Sequence, residues 1–261
     1  MKGVILAGGL GTRLYPLTKI SSKQLLPVYD KPLIYYPLST LMLAGIREIL
    51  LIATPLQVAN FEFLLKDGSE FGIEVRYMIQ ERPLGIAHSM LLSENFLENS
   101  KAALILGDNI FHGPGLGRRL ESFSEIKGSQ VFGYVVKDPS PYGIASIDHR
   151  GKVIKLEEKP KNSSSQTAIP GLYFFDETAH SRATELKPSP RGELEILDLL
   201  QSYLNDGKLN LEMLPRGTAW FDSGTFEDLH EAGTYVKLMQ ERTGEKVGDP
   251  LEVARIQGWV Q

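Results

Sequence analysis

Directly after the apolar run Lys2 to Ala7 stands Gly8-Gly9-Leu10-Gly11-Thr12-Arg13. Glycines in such a turn let successive backbone N–H groups converge on an anion with no Cβ in the way. Arg13 and, ten residues on, Lys23 in Ser22-Lys23-Gln24-Leu25-Leu26-Pro27 add two cations suited to neutralising a polyphosphate. The turn is not a dinucleotide fingerprint: counted from Gly9 the third glycine position is Leu14, and the second strand runs into Thr54-Pro55 without a closing acid. It also lacks the Gly-Lys-Ser/Thr ending of a P-loop. Alone, such a turn serves a plain backbone reversal as readily as a ligand.

Two carboxylates suit a hard cation. Asp108 follows the apolar run Ala102 to Leu106, and Asp222 follows Trp220-Phe221. One or two carboxylates plus substrate phosphates is how Mg²⁺ is commonly held, so Asp108 and Asp222 are the candidate metal ligands. Asp222, Ser223 or Thr225 could equally cap the helix that follows. Gln80, after the third strand, can both donate and accept, as the imide edge of uracil or thymine requires, and Gly85 after Pro83-Leu84 permits close backbone approach. Glu157-Glu158-Lys159-Pro160 sets a carboxylate that accepts from hydroxyls beside an ammonium that suits a phosphate, although a surface ion pair would look the same.

The sequence shows neither a nucleophile elbow nor a paired Cys/His, so protein-based nucleophilic catalysis has no visible apparatus. A phosphate monoester, with a second pKa of about 6, is itself mostly dianionic at neutral pH and can attack without a protein base. The protein would then supply positioning and charge.

These residues need a scaffold that brings strand ends together. Short β-branched runs alternating with amphipathic stretches predict βα units around a mostly parallel sheet. The expected strands are Lys2 to Ala7, Glu48 to Ala53, Glu74 to Ile79, Ala102 to Leu106 and Gln130 to Val136. The expected helices are Pro32 to Ala44, with Gly45 at its end, Gln57 to Lys66 and Ile86 to Glu94. Ligands bind beyond the carboxyl ends of such strands, which places the glycine turn, Gln80 and Gly107-Asp108-Asn109 at one crevice.

Further along, Ile144 to Ile147 and Val153 to Leu156 flank Asp148-His149-Arg150-Gly151, a hairpin signal, so the second half is mixed in direction. Ala168 to Phe174 reads as another strand and Glu193 to Asn205 as a helix. Leu229, Ala232, Val236 and Met239 form a core stripe on a late helix. The class is α/β: a Rossmann-like open sheet, mostly parallel and flanked by helices, with a mixed or antiparallel extension. One domain over 1–261 is expected, with residues 1–130 and 131–225 as its two parts and a helical segment over 226–261.

Composition narrows the classes. With 28 basic and 32 acidic residues among 261, the net charge of −4 argues against a broad grip on nucleic acid. Zero cysteines exclude disulfides, thiolate metal sites and a Cys nucleophile. No apolar run approaches a membrane span or a signal-peptide core, so a cytoplasmic protein without membrane or nucleic-acid partners is expected.

In order, Gly8-Gly9-Leu10-Gly11-Thr12-Arg13, Lys23-Gln24-Leu25-Leu26-Pro27, Gly107-Asp108-Asn109, Glu157-Glu158-Lys159-Pro160 and Asp222-Ser223-Gly224-Thr225 resemble the sugar nucleotidyltransferases. Tyr35 to Glu48 and Arg191-Gly192-Glu193-Leu194-Glu195-Ile196 extend the likeness over nearly the whole chain. The resemblance implies attack by a sugar 1-phosphate, such as glucose 1-phosphate, on the α-phosphorus of dTTP or UTP, with pyrophosphate expelled. It further implies Mg²⁺ between Asp108 and Asp222, and Arg13 and Lys23 offsetting the charge that develops. Gly8, Gly9, Gly11 and Thr12 would line the triphosphate, with Gln24 and Pro83 nearby, and Gln80 and Gly85 would hold the base. Asn109, Gly143, Glu158 and Ile169 would line the sugar, with Lys159 on its phosphate, and a homo-oligomer is expected. A non-catalytic nucleotide-sugar-binding subunit of the same fold is the competing reading, with a nicotinamide oxidoreductase a distant third.

Overall fold

The computed structural model describes residues 1–9 and 11–261, so Leu10 of the glycine turn lies outside the described residues. The chain forms two compact units. One comprises Lys2–Pro83, Ile105–Ser122 and Gly217–Gln261; the other comprises Leu84–Leu104 and Phe123–Arg216.

In the first unit, Lys2–Ala7 pairs in parallel with Glu48–Ala53, and Glu48–Ala53 in parallel with Glu74–Ile79. All three strands have the bounds that their β-branched runs predict. Val4, Ile5 and Ile49 to Ala53 are buried on both faces, so these strands read as continuous apolar runs rather than alternating ones. The predicted helix Pro32 to Ala44 begins later, at Tyr35–Leu43. Lys31–Pro32 instead forms a short antiparallel ribbon with Pro27–Val28, and Leu33 N–H donates to the Leu26 carbonyl at 3.0 Å. Gly45 ends the helix at φ +76°.

The late helix, Phe226–Thr243, presents its expected stripe: Ala232 and Val236 are buried with Val28, Leu33, Tyr36, Ile110 and Val247, and Leu229 and Met239 pack on them. A last helix, Pro250–Ile256, was not placed from sequence beyond a helical segment. Its signal is Asp249-Pro250, where the aspartate caps Leu251 and Glu252 N–H and proline opens the helix. Among the described residues no helix is long and apolar enough to cross a membrane.

A buried ammonium ties this helical segment down. Lys31 donates to Asp30, to Gln240 Oε1 at 3.2 Å and to the Val247 carbonyl at 3.2 Å. Partial burial works against ionisation of Asp30, but bonds from Lys31, Gln240 and Lys246 outweigh it and pull its pKa down to about 2. Its unfolded value is near 3.9, so the stabilisation is complete above about pH 4 and disappears as pH falls towards 2. Asp30→Asn is therefore expected to cost about 1–2 kcal/mol at pH 7, discounted for partial exposure, with the gap to wild type closing between about pH 4 and 2. Urea unfolding at several pH values measures it; a pH-independent gap would remove the charge from the explanation.

The second unit is largely antiparallel. Gly143–Ile147 and Val153–Glu158 form the predicted hairpin, closed by Asp148, whose Oδ1 accepts from Arg150 and Lys152 N–H at 2.8 and 2.9 Å. Ser129–Val135 pairs antiparallel with Leu172–Phe175 and with Thr167–Ala168, and in parallel with Leu209–Met213. The single strand expected over Ala168 to Phe174 is two, because Pro170 has no N–H for the ladder and the chain turns at Ile169-Pro170-Gly171. The helix expected from Glu193 begins at Ile196, since Glu195 is extended and Leu194 N–H donates to the Leu84 carbonyl at 2.8 Å. Ile86 to Glu94 becomes two short helices, His88–Leu92 and Glu94–Leu97, parted at Ser93.

Candidate active site

Of the nucleotide-side candidates, Gly85 lies in the second unit and the others lie in the first. Gly8 leaves Lys2–Ala7 so close to the Gln80 amide that a Cβ there would stand 2.8 Å from Gln80 Oε1. Gly107 N–H donates to the Leu6 carbonyl at 2.9 Å, and its missing Cβ makes room for Gln24 and Ala7 at 3.1 and 3.2 Å. Gln24, Gln80 and Asn109 are each at most 4 % exposed, so the amides line a buried wall rather than a solvated rim.

Gly11, at the end of the glycine turn, is anchored. Gly11 takes φ +60°, a region that favours glycine, and its carbonyl accepts from Thr18 Oγ1 at 2.7 Å. Thr12–Leu14 then forms a single 3₁₀ turn carrying Arg13 outward. A Cβ on Gly9 would meet nothing within 4 Å, and Gly9 has no positive φ. Gly9→Ala should thus leave the unfolding midpoint unchanged, while weakening any ligand held by this turn at least fivefold, roughly 1 kcal/mol. Calorimetry with a nucleoside triphosphate checks this; unaltered affinity would move the phosphates off Gly9.

Asp108 and Asp222 meet across a ribbon that the sequence did not reveal. Ile110–His112 pairs antiparallel with Ala219–Phe221, setting Phe221 opposite Ile110, so the residues flanking the ribbon become neighbours. Lys23, only 6 % exposed, spans the junction: its Nζ donates to Asp108 Oδ2 at 2.7 Å and to the Asp222 backbone carbonyl at 3.0 Å. Burial and the neighbouring Asp108 charge raise the Asp222 pKa, against smaller lowering effects of Gly224 N–H and Lys23. Asp222 is not the helix cap. Thr225 fills that place in a reciprocal capping box with Asp228, leaving the Asp222 carboxylate for other work.

The loop Asp222-Ser223-Gly224 is tight. Ser223 takes φ +46°, and its fully buried hydroxyl has no hydrogen-bond partner among the described residues. The Arg13 guanidinium lies against Gly224, where a Cβ would sit 3.2–3.4 Å from Nη2, Nη1 and Cζ. Both predicted cations thus touch the Asp222 loop.

A cation fits this donor set. Lys23 Nζ bonds the Asp108 carboxylate and the Asp222 backbone carbonyl, burial and the Asp108 charge push the Asp222 carboxyl towards protonation, and the buried Ser223 hydroxyl beside it has no hydrogen-bond partner among the described residues. Among the described residues no three His, Asp or Glu side chains gather, so a divalent ion held here would need further oxygen ligands from substrate or water.

Of the sugar-side candidates, Gly143, Glu158, Lys159 and Ile169 lie in the second unit and Asn109 in the first. Glu158 is paired with Gly143 in the hairpin, Ile169 N–H donates to the Gly143 carbonyl at 2.8 Å, and Lys159 N–H to the Tyr142 carbonyl at 3.0 Å. Lys159 adopts φ +43° and its Nζ is 3.3 Å from Glu158 Oε1. Arg191, which sequence reasoning did not assign, also reaches this carboxylate at 3.9 Å while holding Glu195 at 2.8 Å. The close approach that Gly85 permits is to protein: its missing Cβ faces the Leu194 backbone. Pro83 is exposed.

The chain matches the nucleotidyl transferase family over residues 2–237. It is 52 % identical over 260 residues to a glucose-1-phosphate thymidylyltransferase of Mycolicibacterium smegmatis, covering 100 % of this chain and 90 % of that one. To the enzyme of that name in Xanthomonas campestris it is 54 % identical over 260 residues, covering 99 % and 88 %. Among solved structures, a Bacillus anthracis protein assigned to glucose-1-phosphate thymidylyltransferase, crystallised with sucrose, aligns with a TM-score of 0.83 at 40 % identity, over 90 % of this chain and 94 % of that chain. A UDP-glucose pyrophosphorylase bound to UDP-glucose shares the fold, with a TM-score of 0.79 at 24 % identity, over 91 % and 98 %. With its glycine turn, buried lysine and paired aspartates on such a scaffold, this chain belongs to the nucleotidyl transferase family.

Proposed function

We propose that the protein transfers a thymidylyl group from dTTP to glucose 1-phosphate, releasing pyrophosphate and dTDP-glucose. The observation that carries the reading is Lys23 bridging Asp108 to the Asp222 loop, in the unit that also bears the glycine turn and Gln80. The roughly 50 % identity to enzymes named for this reaction supports it.

The glucose 1-phosphate oxygen attacks the α-phosphorus as the bond to the β-phosphate breaks, and the pyrophosphate leaves as an anion. The attacking phosphate needs no base. What the step needs is charge placed beforehand where negative charge builds. Gly8, Gly9, Gly11 and Thr12 would present backbone N–H groups to the triphosphate, and Arg13 and Lys23 would offset charge on the departing phosphates. Gln80 would read the imide edge of thymine, an edge uracil shares, so base choice rests on about one methyl group, 1–3 kcal/mol. In the second unit, Glu158 would accept from sugar hydroxyls, and Lys159 with Arg191 would hold the sugar phosphate. Gly143 and Ile169 would line the ring.

Asp108 and Asp222 would hold Mg²⁺, which when bound draws charge from phosphate oxygens. Because two carboxylates are a sparse site, Mg²⁺ alone should shift the unfolding midpoint by less than about 1 °C, whereas Mg²⁺ with dTTP at 100-fold over Kd should stabilise by about 2.7 kcal/mol. Equal stabilisation by dTTP with and without Mg²⁺ would contradict the ligand assignment. The activity itself is tested with five triphosphates against several hexose 1-phosphates, followed by pyrophosphate release. Activity is expected with dTTP and glucose 1-phosphate, and no activated sugar from any pair would overturn the proposal.

A further inference from the structure

A chain of side-chain hydrogen bonds runs from Trp220 to the Asp108 carboxylate. The Trp220 indole N–H donates to Asn109 Oδ1 at 2.7 Å, and Asn109 Nδ2 donates to Asp108 Oδ1 at 2.9 Å. The other oxygen of Asp108 accepts from Lys23. Indole nitrogen is a donor only, so it dictates which way the Asn109 amide faces: oxygen to Trp220, NH₂ to Asp108. A reversed amide would set two donors against each other and turn a carbonyl oxygen towards a carboxylate. Asn109 is 2 % exposed and Trp220 9 %, so water is poorly placed to correct such an error.

The backbone fixes the geometry from both sides. Trp220 stands opposite Phe111 in the ribbon, while Asn109 directly precedes that ribbon and Asp222 directly follows it. One short ribbon thereby carries the donor, the relaying amide and both carboxylates.

We propose that Trp220 is a positioning residue for the transfer reaction: its indole N–H orients the Asn109 amide, which in turn holds the Asp108 carboxylate in one rotamer. The proposal rests on Asp108 serving the reaction as read above. It predicts that loss of the Trp220 N–H is felt through Asn109.

The test is a double-mutant cycle on the full chain with dTTP, glucose 1-phosphate and Mg²⁺. Trp220→Phe keeps the ring and removes the N–H. It should lower kcat about tenfold, as misplacement of a catalytic group by a fraction of an ångström does, with KM for dTTP within about twofold of wild type. In an Asn109→Ala background the same change should have almost no further effect on kcat, since the relay is already cut. Multiplicative losses, or a Trp220→Phe kcat equal to wild type, would overturn the proposal. A second arm does not depend on turnover. In the ligand-free protein, the Asn109 side-chain amide resonances, identified by their loss in Asn109→Ala, should shift and exchange faster with water in Trp220→Phe. Unchanged resonances would overturn the positioning role even in a protein that makes no nucleotide sugar, whereas wild type without turnover would sink only the proposed reaction.

Discussion

Lys23→Ala is expected to lower kcat at least 10³-fold, about 4 kcal/mol, the scale seen when one preorganised charge is removed from a water-excluded site. The lysine ammonium bonds two chain segments at once, with Asp108 Oδ2 at 2.7 Å and the Asp222 carbonyl at 3.0 Å. Without its charge, Asp108 and Asp222 are left as like neighbours, and the Asp222 pKa, already raised by burial and by Asp108, loses one of the influences holding it down. The pair would then disfavour the doubly ionised state that a divalent ion requires. Lys23→Arg should not rescue, because a planar fork cannot replace a compact ammonium in a slot where the native side chain is 7 % exposed. Pyrophosphate release, scaled to folded protein by circular dichroism, reads the effect. A lysine serving only the fold would lower the unfolding midpoint while leaving the kcat of the folded fraction intact; that pattern would refute the assignment.

The sequence was most legible where one physical signal dominates. Lys2–Ala7, Glu48–Ala53 and Ala102–Leu106 announce themselves as apolar runs, and these three and the half-exposed Glu74–Ile79 have the bounds read from their residues. Their carboxyl ends then located the glycine turn, Gln80 and Asp108 without any tertiary knowledge. What stayed hidden was tertiary. The ribbon Ile110–His112 with Ala219–Phe221 has three residues a side, too short for any periodicity, and joins segments more than a hundred residues apart. By sequence Asp222 suits a helix cap as well as a ligand, and it is the ribbon's neighbour Thr225 that fills the cap. Trp220 carries no local sign that its N–H is aimed at Asn109. Ile169-Pro170-Gly171 shows the opposite failure: the proline was in plain view, and the apolar run around it outweighed the missing N–H.

Gly85 was likewise legible as a residue needing space, but its neighbour was not. The second prediction follows from that neighbour: Gly85→Ala is expected to destabilise the protein by at least about 3 kcal/mol, more than an ordinary glycine replacement, because two independent penalties coincide. The backbone takes φ +99°, where an L side chain is strained. A Cβ would also stand 2.3 Å from the Leu194 carbonyl oxygen and 2.6 Å from its nitrogen, atoms that cannot rotate aside. Those same atoms hold the crossing together, Leu194 N–H donating to the Leu84 carbonyl at 2.8 Å and Ala87 N–H to the Leu194 carbonyl at 3.1 Å. Relieving the clash parts the two segments and breaks both bonds, each a net of about 1 kcal/mol. Leu194 lies two residues before Ile196–Asn205, so the displacement runs into a helix whose inner face packs Leu199, Leu200 and Tyr203 in the core of the second unit. At roughly 2–4 °C per kcal/mol for a chain of this size, the unfolding midpoint should fall by about 6–12 °C. Differential scanning calorimetry of the variant beside Gly9→Ala, whose Cβ meets nothing, provides the internal contrast. Equal midpoints for the two would show that the Leu84–Ala87 crossing yields without cost.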